Sequence, residues 1–128
     1  MRIAHRLVGL VGVVAFLLTG AWLRVRYPGM EGVADAQRLL FRSRHIYLLL
    51  GALINLGIGV YYVPAAPGWR RGVQGFSSAL VLSAPPLLLA AFIDEPHRGL
   101  FEGQLARISL FALLAGVLLQ ALAAPRGR

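Results

Sequence analysis

The sequence predicts an all-α integral membrane protein: a bundle of four transmembrane helices with short loops and an interfacial helix in the first loop. Three observations carry that reading. Hydrophobic residues make up 58% of the 128, mean hydropathy is +0.70 and only 14% of residues are charged, which leaves too little polar surface for a water-soluble domain. Runs free of Asp, Glu, Lys and Arg cover residues 7–23, 45–69, 72–93 and 108–125. At about 1.5 Å per residue, each is near the length that crosses a hydrocarbon layer of about 30 Å. Backbone amides in lipid must be paired within their own segment, so each run is expected to be helical.

The first helix is expected over about 3–23, with Arg6 and Arg24 snorkelling from its ends toward the head groups. A secretory signal cleaved after Thr19-Gly20-Ala21 is the competing reading. The apolar run continues through Trp22 and Leu23, which suits an uncleaved helix better. Within Met30 to Phe41, Val33, Ala36 and Leu40 recur at helical spacing while Asp35, Arg38 and Arg42 fall on another face, the pattern of a short helix lying in the membrane surface. The second helix is expected over about 45–63. It stops at Val63-Pro64, and the Pro and Gly of Pro67-Gly68 turn the chain into a third helix over about 73–93, antiparallel to the second. The fourth covers about 105–124, so residues 1–128 form one membrane domain. Trp22, Tyr27, Tyr61, Tyr62, Trp69 and Phe101 fall near the borders, where rings with one wet edge anchor a helix.

Thirteen basic residues against five acidic give a net charge of +8, and every basic residue is Arg. Because the arginines sit in short segments between apolar runs, the partner they imply is the lipid bilayer and its anionic head groups rather than nucleic acid. The absence of Cys removes disulfides, thiolate metal sites and cysteine nucleophiles. With four spans, Arg2, Arg6, Arg70, Arg71, Arg126 and Arg128 share one side of the membrane, and the other seven arginines share the opposite side. The positive-inside rule is almost balanced by these numbers. The expectation adopted is a bacterial inner-membrane protein with both ends cytoplasmic.

Ionisable side chains concentrate on one face. Arg42, Arg44 and His45 lead into the second helix, while Asp94, Glu95, His97, Arg98 and Glu102 link the third to the fourth. Packed as a bundle, these segments meet. Two chemistries are open to them: ion pairs that brace the loops, or nitrogen and oxygen ligands for a divalent metal, with His45 and His97 as candidates. Haem requires two imidazoles at one depth. Only His45 and His97 share a face, because His5 begins the first helix a membrane away from His45. Bracing is the reading adopted, with no metal and no cofactor.

Inside the spans, Gly51, Asn55 and Gly59 form one stripe of the second helix, and Ala112, Gly116 and Gln120 form another in the fourth. Such stripes are packing seams, within the bundle or toward other membrane subunits or a second copy, with the amide seeking a hydrogen-bond partner. Pro85-Pro86 removes two amide donors from the third helix and should free the carbonyls of Val81 and Leu82. Ser83, water or another helix must then satisfy them, with a kink as the consequence.

The size and four spans resemble two transporter classes. The carboxylate that small multidrug exporters carry in their first helix is absent. Asn55 matches the second-helix Asn of fluoride channels, but Gly75-Phe76-Ser77-Ser78 departs from their Thr-Phe-Ser-Thr segment. Phosphate-loop, His-Glu-x-x-His and Gly-x-Ser-x-Gly motifs are also absent. The expected function is therefore that of a non-catalytic accessory or assembly subunit. The alternatives are a small transporter or channel using Asn55 and the Pro85-Pro86 break, and haem or metal binding through His45 and His97.

Overall fold

A computed structural model describes residues 1–99 and 102–124 of the chain. Four helices make up the fold: α1 (Arg2–Arg26), α2 (Asp35–Tyr61), α3 (Trp69–Asp94) and α4 (Leu105–Ala123). No strand occurs among the described residues. All four helices are long and apolar enough to cross a membrane. The start of α1, the end of α4 and the α2/α3 turn lie on one side, here the terminal face; the α1/α2 connection, the end of α3 and the start of α4 lie on the other, the loop face.

Helix boundaries follow local chemistry. α1 gives way at Tyr27 before Pro28, with Arg24 and Arg26 in its last turn, where cations complement the negative end of the helix dipole. A short 3₁₀ turn, Pro28–Met30, reverses the chain, with Gly29 at φ 63° and Met30 at φ 59°. Arg38 clamps that turn by donating to the Met30 and Val33 carbonyls at 3.1 and 3.2 Å. α3 starts after Gly68, whose φ of 117° is open to glycine at little cost.

The segment expected as a separate interfacial helix is the opening of α2, which starts at Asp35 rather than near His45. The spacing of Val33, Ala36 and Leu40 reported real helicity. Its polar face is interrupted by Phe41, which is wholly buried against Leu23, Met30 and Phe92, so the helix turns into the bundle instead of lying on the surface.

Packing runs in chain order. α1 lies along α2 and α4 along α3, and α2 meets α3 between the two pairs. Glycines set the closest approaches. A Cβ on Gly9 would lie 2.8 Å from the Leu56 backbone nitrogen, and one on Gly59 would lie 2.8 Å from that of Arg6. The α3/α4 pair is drawn together at Gly116, where a Cβ would come 2.6 Å from a Val81 methyl. In a bilayer, where burial from water does not drive helix association, close contact of this kind is the main attraction between helices. α1 and α3, by contrast, touch only lightly across a cleft.

Candidate functional site

The polar groups of the bundle form two layers, one toward each face. Asn55 centres the layer nearer the terminal face. Asn55 lies less than two turns before the end of α2 at Tyr61. Its Nδ2 donates to the Gly51 carbonyl in its own helix at 2.9 Å and to the Val81 carbonyl of α3 at 3.0 Å. Val81 is the residue whose carbonyl Pro85 leaves without an amide partner. Asn55 therefore supplies from the neighbouring helix the bond that the proline removes, and α3 passes through Pro85 and Pro86 unbroken. Ser83, the expected local partner, donates to Leu80 O instead at 2.8 Å.

The Asn55 oxygen is engaged as well, 2.8 Å from His5 Nδ1. With both amide hydrogens donated elsewhere, Oδ1 accepts, so the His5 proton sits on Nδ1. Asn55 thus joins α1, α2 and α3 at one point. His5 is wholly buried, and its Nε2 and the Ser78 hydroxyl have no hydrogen-bond partner among the described residues. His5 carried no role in the sequence reading beyond its distance from His45. The signal that would have found it is the antiparallel α1/α2 register, which sets His5 against the second half of α2.

Arg2 and Arg6, at the start of α1, reach the end of α2. Arg2 donates to the Tyr62 carbonyl at 2.6 Å and Arg6 to the Gly59 carbonyl at 2.9 Å, satisfying acceptors at the C-terminal end of α2 with cations that suit its dipole. Gln74, also absent from the sequence reading, holds the α2/α3 turn by accepting from Ala65 N and donating to Val63 O, both at 2.8 Å. Ser77 Oγ donates to Gly116 O at 2.7 Å and lies 2.8 Å from Gln120 Oε1. Gly51 faces Leu88 and Pro85 of α3.

At the loop face, the two charged segments do meet. Arg44 Nε lies 2.6 Å from Glu95 Oε2, with the Glu95 side chain 1% exposed, and Glu95 Oε1 accepts the Ala106 amide at 2.9 Å. One carboxylate therefore links α2 to the start of α4, where free amides favour a negative charge. Asp94 pairs with Arg98 one turn along at the surface, and Glu102 is exposed beside them, lining a recess of about 340 Å³. Arg42 is exposed and lines a separate shallow recess with Arg24 and Tyr27.

The two histidines of this face have different surroundings. His45 stacks on Phe16 at 4.1 Å between ring centroids, and its Nδ1 lies 3.0 Å from Thr19 Oγ1. The Thr19 hydroxyl donates to Phe16 O at 3.0 Å, so it accepts from His45 and the proton of that ring also sits on Nδ1. His97 is exposed, edge-on to Phe41. Among the described residues no group of three or more His, Asp or Glu side chains is disposed to hold a metal ion.

A cavity of about 520 Å³ opens at the terminal face between Tyr61, Tyr62, Gln74 and Gln120, and a cleft separates α1 from α3. The cleft consists of two cavities of about 290 and 530 Å³ that share Leu89. The first is walled by aliphatic residues and by Pro85 and Pro86; the second opens toward the loop face between Thr19, Trp22, Phe92 and His97. Compared with protein-family models, curated proteins and solved structures, the chain matches none.

Proposed function

We propose that this chain is a small multi-pass protein of the bacterial inner membrane, both ends cytoplasmic, that acts as a non-catalytic accessory or assembly subunit. The observation that carries the proposal is how Asn55 within the bundle and the Arg44–Glu95 pair at the loop face are spent. Asn55 uses its oxygen and both amide hydrogens within the bundle, and Arg44 and Glu95 use their charges on each other. A group saturated in this way positions helices rather than meeting a solute. The outer surface of α4, with Ile108, Phe111, Leu114, Leu118 and Leu122 exposed, is an apolar stripe that suits lipid or another membrane helix.

The test has two arms. In liposome flux assays the purified chain should conduct no more than its Asn55→Ala variant, since neither provides a path. Purified gently from its native membrane, it should migrate above monomer size, with a partner or a second copy. Solute flux that Asn55→Ala abolishes, or a free monomer under every mild detergent, would overturn the proposal. Reporter fusions after Arg71 and at the C-terminus should both report the cytoplasm.

A further inference from the structure

We infer that the α1/α3 cleft is a binding site, entered sideways from the bilayer, for a neutral amphiphile with a long apolar chain and a flat hydrogen-bonding ring as its head, the chemistry of an isoprenoid quinone. The inference goes beyond the accessory role and does not depend on it.

Polarity along the cleft carries the argument. From Leu7 to Trp22 the wall of α1 rises about 22 Å at 1.5 Å per residue, so the slot covers most of one hydrocarbon layer. Its inner half is lined by Val8, Val11, Ala15, Leu82 and the two prolines, with no side-chain hydrogen-bonding group. That half suits a hydrocarbon chain and nothing polar. The outer half changes character near the loop face: Thr19 and Trp22 stand on α1, Phe92 stands on α3, and His97 lies in the short turn just past the end of α3. Trp22 and Phe92 pack on each other edge to face, 6.0 Å apart and 75° between planes, and the half-exposed Trp22 offers an aromatic side against which a planar ring can lie. Trp22 brings an indole N–H donor, and the His97 imidazole brings a donor and an acceptor at the mouth.

The charge of the lining selects among membrane amphiphiles. The chain has thirteen arginines, yet none of the described residues lining either half of the cleft is one. A phospholipid phosphate is held by guanidinium groups, and Arg24 and Arg42 line a different recess. The cleft therefore lacks phosphate recognition where a head group would sit. It offers ring contacts and neutral hydrogen bonds in its place.

Trp22 makes the site measurable, because quinones quench indole fluorescence. In a Trp69→Phe variant Trp22 is the one remaining tryptophan of the two. Titrating that protein with decylubiquinone in phosphatidylcholine nanodiscs should give quenching that saturates at one site per chain. Val11 is 67% exposed, so Val11→Phe narrows the inner half without disturbing the core; it and His97→Leu should each weaken binding by about tenfold. Leu114→Phe, on the outer surface of α4, should leave the curve unchanged. Linear quenching without saturation, or saturation that Val11→Phe leaves unchanged, overturns the proposal. So does loss of the saturable phase when phosphatidylglycerol replaces phosphatidylcholine, which would assign the cleft to a phospholipid.

Discussion

Asn55 is hydrogen-bonded to three helices, and its replacement shows what a single buried amide does between apolar helices. Asn55→Leu keeps similar bulk but strands His5 Nδ1–H and the Val81 carbonyl in a water-poor interior. A stranded buried group costs about 1–3 kcal/mol, tempered by the modest strength of interhelical hydrogen bonds in membranes. The expected loss is about 2 kcal/mol in reversible detergent unfolding. Glu95 sets a harsher case. Arg44→Met leaves its buried carboxylate without a counter-charge and is expected to destabilise by about 3–5 kcal/mol, while Arg44→Met with Glu95→Leu should regain most of the loss, because a buried ion pair adds little over apolar packing. A double variant no more stable than Arg44→Met alone would contradict that account.

Among the elements, α3 carries the most informative contrast. Pro85→Ala restores an amide that reaches Val81 O, so that carbonyl no longer depends on α2. Asn55→Leu should then cost less in the Pro85→Ala background than alone, with a coupling of about 0.5–1.5 kcal/mol from a double-mutant cycle; strictly additive losses would mean that Asn55 and Pro85 act independently. Half of this relation was legible in the sequence, since a proline names the carbonyl it frees. The donor was not, because it comes from another helix and depends on the α2/α3 register. The start of α2 was missed for a related reason: Arg38, Arg42 and Arg44 look like loop when charge absence marks the helix, yet the helical spacing already extended through them. Charge-free runs locate the part of a helix in hydrocarbon and not its hydrogen-bonded ends.

Across the whole molecule, composition and charge placement were enough to read four helices, because each is long and apolar enough to cross a bilayer. The meeting of Arg44 with Glu95 was also within reach, since helix parity puts both segments on one face. The cleft was not. It depends on α1 and α3 being spaced by α2 so that they touch lightly, and no pattern along one helix records the gap between two others.

That chain-order packing bears on how the molecule is made. α1 with α2, and α3 with α4, are each neighbours in sequence and in space, so each pair can enter the membrane as a self-contained hairpin before the other is synthesised. Beside the packing of Leu48 and Gly51 on Leu88, the hairpins are joined by side-chain hydrogen bonds from Asn55 to Val81 O, between Arg44 and Glu95, and from Gln74 to the chain at Val63 and Ala65. A gene divided between Pro67 and Gly68 should therefore yield two polypeptides that insert separately and recover each other in the membrane, scored by co-purification through a tag on one half. Asn55→Leu combined with Arg44→Met should abolish that recovery while leaving each hairpin inserted.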